Sequence, residues 1–179
     1  MKWTVPVICM ALLYSSCSAG KTANNKMNNR DSSLLFRKDS LIIAGTVPTS
    51  IKIEWPAAVN KTDQNKILLF LDRPQIIAAP DGVYEIYLTA EYPAIQTLSA
   101  GNPGFLTVMD TYPLTGPDAK DYLQLDISTA IKKLSAANPS QAHYFIMLLF
   151  RGSKLPDGTE SRQSGEIRFG GLRVVGLRG

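Results

Sequence analysis

"APDGVYEIYLTAEYP", Ala79 to Pro93, opens on a turn signal, Pro80-Asp81-Gly82, and closes on a breaker, Pro93. Between them Val83 to Thr89 is short, rich in aromatic and β-branched residues, and alternates with period two, which predicts a β-strand. Successive side chains of a strand point to opposite faces, so Glu85 shares a face with Val83, Tyr87 and Thr89, against Tyr84, Ile86 and Leu88. A lone carboxylate in such a run belongs on the solvated face of a scaffold strand. Glycoside hydrolysis would need a second convergent carboxyl group, and nothing in the spacing assigns Asp110 or Asp126 to that part.

The same grammar recurs along the chain. "LIIAG" from Leu41, "IKIEW" from Ile51, "KILLFL" from Lys66, "GFLTVMD" from Gly104, "YLQLD" from Tyr122, "HYFIMLLF" from His143 and "EIRFGGLRVV" from Glu166 are short apolar runs. Pro, Gly, Asn and Asp clusters such as "LSAGNPG" and "YPLTGPD" separate them. Many short strands divided by turn chemistry predict an all-β fold, an antiparallel, jelly-roll-like β-sandwich. No fixed period supports a propeller or a solenoid. The Gly170-Gly171 pair inside the last run marks a bulge. One segment differs: Ile127, Ala130, Ile131 and Leu134 fall at i, i+3, i+4 and i+7, the stripe of a short helix near residues 127–136. Asp126 is its expected N-cap, and Asn138-Pro139 ends it.

The first residues, "MKWTVPVICMALLYSSCSAGK", read as an export signal: Lys2 supplies the positive region and Val5 to Leu13 the apolar one. The run falls short of the roughly 20 apolar residues that span a bilayer. Small residues Ser15 and Ser16 before Cys17 resemble the lipobox of bacterial lipoproteins, with Tyr14 standing where Leu is usual. The expected organisation is a signal peptide at 1–16, a lipidated Cys17 with a flexible tether at 17–40, and a β-sandwich at 41–179. A tether rich in Asn, Ser and Lys cannot bury enough apolar surface to fold alone. The implied location is the bacterial cell envelope, anchored by acyl chains such as palmitate, on the outer membrane.

Charge and cysteine content narrow the chemistry. The chain of 179 residues carries a formal net charge of +4, but the segment from Leu41 onward holds 13 basic and 13 acidic residues. The excess sits in the signal and tether, whereas a nucleic-acid binder should carry a basic face on the domain, so nucleic acid is not an expected partner. Both cysteines, Cys9 and Cys17, fall in the N-terminal segment, which leaves no disulfide and no cysteine-based zinc site for the domain. His143 is the single histidine in the chain. It heads the most apolar strand, and there is no G-x-S-x-G nucleophile motif for it to serve. Nor is there a Gly-rich phosphate loop. These residues predict no catalytic site, no metal site and no cofactor. Tyr84, Tyr87, Tyr92, Tyr112 and Trp55 are the candidates for a binding surface, because their rings join apolar area to a polar handle. That supports an alternative reading, a surface module for carbohydrate.

The order "ILLFLDRPQIIAAPDGVYEIYLT" resembles the start of the C-terminal domain of polyphenol oxidases and tyrosinases, where a strand leads through a short connection to a KFDVYVN-type motif. Tyr84 and Ile86 keep its aromatic and aliphatic places, and Glu85 stands where that family has Asp. The similarity runs on through "GNPGFLTVMD", the helix after Asp126 and "YFIMLLFRG" to "GEIRFGGLRVV", roughly Lys66 to Val175. The resemblance implies a β-sandwich that packs beside a dicopper oxidase unit. That unit uses six histidines, and this chain has one. The expectation is a non-catalytic, membrane-anchored sandwich that acts through protein contacts, with a separate oxidase as its partner.

Overall fold

A computed structural model describes residues 32–178, apart from 58, 60, 93–97, 112–113, 115–118, 154–156, 160 and 162. Cys17 and the export signal lie outside the described residues. The strands are β1 (Ser32–Ala44), β2 (Thr49–Glu54), β3 (Lys66–Asp72), β4 (Gln75–Ala78), β5 (Gly82–Thr89), β6 (Phe105–Met109), β7 (Tyr122–Asp126), β8 (His143–Gly152) and β9 (Glu166–Leu177), with helix α1 at Ser128–Ala137. One sheet has the order β1-β9-β3-β7, with β4 also on β9, and the other has the order β2-β8-β5-β6.

The antiparallel pairs β1·β9, β2·β8, β3·β7 and β5·β6 are nested about the β5–β6 connection. Strand β4 continues β3 along β9 in unbroken register, since Asp72 opposes Gly171 and Gln75 opposes Arg168. Counting β3 and β4 together leaves two four-stranded sheets wound as one long folded hairpin. That is jelly-roll topology, as the turn-divided runs predict.

The inner faces meet in one core. Ile67, Leu69 and Leu71 of β3, Tyr84, Ile86 and Leu88 of β5, and Tyr144, Ile146 and Leu148 of β8 all belong to it. Each fully buried aliphatic side chain contributes about 1.5–3 kcal/mol of hydrophobic stabilisation. Ile127, Ala130 and Ile131 add the apolar stripe of α1. The helix starts one residue later than its expected cap: Ile127 is the N-cap residue, while the Asp126 carboxylate accepts the Ser128 N–H at 3.0 Å. Asp126 still satisfies an orphan donor of the first turn, from one position further out.

Strand β1 corrects the expected boundary at residue 41. It begins at Ser32, inside the segment read as tether. Leu35 is buried and Phe36 packs against the core, whereas Arg37, Lys38 and Asp39 are exposed on a strand at the edge of its sheet. Charges on an edge strand discourage pairing with other chains. In the sequence they read as solvated linker.

A crease crosses the first sheet. Inward-facing residues of β9 are Ile167 and Phe169 before it and Leu172 and Val174 after it, so the alternation changes phase at Gly170-Gly171. The pairing of β9 with β1, β3 and β4 keeps its register through this point, so the expected bulge is corrected to a crease shared by neighbouring strands with no extra residue. The neighbouring strands change phase in the same row. Register places Ser40 of β1 and Arg73, between β3 and β4, on either side of Gly170. Both are non-glycine residues with positive φ, 59° and 49°.

Candidate functional site

Glu85 does not face open solvent. The outer face of β5 and β8 carries a second apolar cluster, in which Tyr87, Met147 and Leu149 are buried together with Leu98 from the segment that follows β5. Beneath this cover the Glu85 side chain is 16% exposed. Its Oε2 accepts Arg151 Nε–H at 2.7 Å and the Tyr87 hydroxyl at 2.6 Å. Arg151 also donates through Nη2 to the Leu98 carbonyl at 2.8 Å. Two strands and the segment over them are thus fastened by one carboxylate and one guanidinium.

The electrostatics follow from this arrangement. Burial, and then the Glu85 carboxylate beside it, push the Tyr87 hydroxyl above its usual range. The bond to Glu85 raises Arg151, against a smaller opposing effect of burial. Fork-shaped Arg donors to a carboxylate make strong charge-assisted bonds when solvent is held back. The constellation holds a cation in place. Both partners of the carboxylate oxygen are engaged, so the sequence-based expectation of a solvated Glu85 is corrected to a part-buried, partnered one, still within a scaffold strand.

The remaining candidates are dispersed. His143 opens β8, edge-on to Phe145 with ring centroids 5.6 Å apart. Asp126 is held by Ser128 at the start of α1, and the two hydrogen bonds from Ser128 together with Lys66 outweigh burial to lower its pKa. Asp110 lies just beyond β6, on the far side of β5 from β8. Pro80-Asp81-Gly82 carries the chain from β4 in one sheet to β5 in the other. The Asp81 carboxylate accepts the Ser161 hydroxyl at 2.9 Å, and its backbone N–H and C=O bond to Gln163 and Ser153.

The aromatic candidates do not share a face. Tyr84 is 1% exposed in the inter-sheet core, where its hydroxyl donates to the Ser164 carbonyl, and burial raises its pKa. Tyr87 is buried under the opposite face, and Trp55 is buried at the end of β2, with its indole N–H donating to Val59 O at 2.9 Å. Tyr92 is 60% exposed and packs on Phe145 outside the second sheet. Tyr122, which was not a candidate, is exposed outside the first sheet against Phe70. Tyr112 lies outside the described residues. The expected row of exposed tyrosines is therefore corrected: alternation sends Tyr84 and Tyr87 to opposite faces, and both faces are covered.

Arg151 escaped sequence reasoning. The available signal was its place in "HYFIMLLFRG", at the same parity as His143 and Phe145, on an outward face that was expected to be solvated. Among the described residues no group of three or more His, Cys, Asp or Glu is placed to hold a metal ion. No helix among them is long and apolar enough to cross a membrane. Among the described residues, concavities lie near Trp55 and Gln141, near Tyr92, and along the crease by Gly170.

No family model matches the chain, and no curated protein sequence matches it. Solved structures do. A recombinant latent aurone synthase, a polyphenol oxidase, matches 77% of this chain with 26% of its own, at 8% identity and a TM-score of 0.47. The same enzyme co-crystallised with hexatungstotellurate(VI) and soaked in H2O2 matches 78% of this chain with 26% of its own, at 9% identity and a TM-score of 0.49. Latent apple tyrosinase matches 76% with 27% of its own, at 10% identity and a TM-score of 0.47. The chain spans about a quarter of the length of these proteins. It is an all-β sandwich, similar to part of the polyphenol oxidase and tyrosinase structures, the family that its sequence resembles.

Proposed function

We propose that the protein is a non-catalytic β-sandwich, held at the bacterial envelope through a lipidated Cys17, that acts by contact with another protein. The partner that fits the resemblance is a separately encoded dicopper oxidase. The observation that carries the reading is how the chain spends its reactive groups. Its one histidine stands at a strand entrance beside Phe145, and the part-buried carboxylate of the family-like strand is taken up by Arg151 and Tyr87. A copper pair of the kind found in the family needs six imidazoles, so oxidation would have to come from elsewhere. The carbohydrate reading has less support, because Tyr84, Tyr87 and Trp55 are buried and Tyr92 alone of the described candidates is exposed.

Two experiments test it. Envelope fractionation should place the protein with membranes, and Cys17→Ser should release it, since stable anchoring takes more than one acyl chain or an added signal. Membrane association unchanged by Cys17→Ser refutes the anchor. Affinity capture of the full chain from solubilised envelopes should bring down a histidine-rich oxidase. Capture of the chain alone, with or without crosslinking, refutes the partner.

A further inference from the structure

The crease at Gly170 is a concavity of about 330 Å³ on the first sheet, and its charged lining is Arg37, Lys38, Arg73 and Arg173 against Asp39, Asp72 and Asp121. Two of these arginines are paired with carboxylates. Arg37 donates through Nε to Asp39 and Arg173 through Nε to Asp72, each at 2.8 Å. Arg173 also lies over the Phe70 ring, 3.9 Å from its centroid. Bonding through Nε leaves the terminal nitrogens of both forks as further donors.

Arg73 differs from its neighbours. Its backbone N–H bonds to Asp121 O at 2.6 Å, but among the described residues its guanidinium has no carboxylate partner. It lies across Gly170, where a β-carbon would come within 2.5 Å of its Nε. Arg73 has φ of 49° and Ser40, across the row, 59°. Left-handed backbone at non-glycine residues costs folding energy and tends to persist where a ligand is held. Three strands therefore kink in one row, and a glycine floor carries a guanidinium with no bonded carboxylate among the described residues between two that are paired.

We propose that this crease binds a phosphate-class oxyanion, with Arg73 as its fork donor and the terminal nitrogens of Arg37 and Arg173 as added donors. A guanidinium matches such an anion with two parallel N–H···O bonds. The braced carboxylates set the size of the ligand. An extended acidic chain laid over the crease would meet Asp39 and Asp72, whereas a single tetrahedral group reaches Arg73 between them. The group can belong to a soluble phosphate or to a phospholipid head, and the site does not depend on whether the chain is acylated.

The test measures binding of inorganic phosphate to the full chain by titration calorimetry, with sodium chloride at matched ionic strength as control. Arg73→Gln is expected to weaken binding by about tenfold or more, Arg73→Lys by less, and Arg168→Gln, on β9 and paired with Glu166, not at all. Gly170→Ala should mimic Arg73→Gln by displacing the guanidinium. If that variant does not fold, exposed Arg73→Gln decides alone. A second arm floats the Cys17→Ser chain with phosphatidylcholine vesicles with and without phosphatidylglycerol. Phosphate binding that needs Arg73 supports a soluble ligand, and Arg73-dependent flotation without free-phosphate binding supports a lipid head. Binding that is indifferent to Arg73→Gln, no binding in either arm, or preference for a poly-glutamate peptide over phosphate overturns the proposal.

Discussion

Replacing Glu85 by Gln removes one negative charge and keeps the shape of the side chain. In the native protein one oxygen accepts both the Arg151 Nε–H at 2.7 Å and the Tyr87 O–H at 2.6 Å. Hydrogen bonds to a charged group contribute about 1.5–3 kcal/mol, against about 0.5–1.5 for neutral pairs. A glutamine carbonyl in the same place keeps both bonds as neutral acceptances, so each loses roughly 1 kcal/mol. The Arg151 share is discounted, because its side chain is 42% exposed and solvent screens it. The expected loss is about 1–2 kcal/mol. In a urea titration with a slope near 2 kcal/mol/M this moves the midpoint down by about 0.5–1 M at unchanged slope. A double-mutant cycle with Arg151→Gln should return a coupling of at least about 0.5 kcal/mol. A loss below about 0.5 kcal/mol, the range for surface substitutions, with no coupling to Arg151, would return Glu85 to the solvated face and refute the network.

Other substitutions probe the rest of the frame. Ile86→Ala, at a fully buried position between the sheets, should cost about 2–5 kcal/mol by chemical denaturation. Asp126→Ala removes the acceptor for the first turn of α1 and should cost about 1 kcal/mol. Because the folded-state pKa of Asp126 is lowered, that contribution is present above its unfolded value and is lost as pH falls through the acid range, so the gap between wild type and variant should close at low pH. At the alkaline end Tyr84 and Tyr87 both have raised values. The unfolded chain then loses their protons first, so unfolding free energy should fall as pH rises above about 10, and less steeply in Tyr87→Phe.

The apolar runs beginning at Leu41, Ile51, Lys66, Val83, Gly104, Tyr122, His143 and Glu166 all fall in strands, and the helix stripe is in place. Their signal is local: period two or 3.6, bounded by breakers. What was hidden is non-local. The first nine residues of β1 carry the charges that an edge strand needs, and only their pairing with β9 reveals them as strand. Glu85 and Arg151 are 66 residues apart. Alternation marks Glu85 as opposite to Ile86, but it cannot report that Leu98 and Phe105 pack over the second face. The same cover buries Tyr87, one of the expected surface tyrosines. The Gly170-Gly171 pair marked an irregularity in β9, but as a crease with unbroken register and not the expected bulge. That Ser40 and Arg73 kink beside it follows only from the register of three strands.

Copper content and diphenol oxidation, measured on one affinity-captured sample, test the account most directly. The captured material should contain copper and oxidise diphenol while its partner is bound. After the partner is stripped and the sample dialysed, the chain should hold no tightly bound copper and show no oxidation, because one histidine cannot ligate a metal pair. Two copper ions retained per stripped chain, with diphenol oxidation intact, would contradict it.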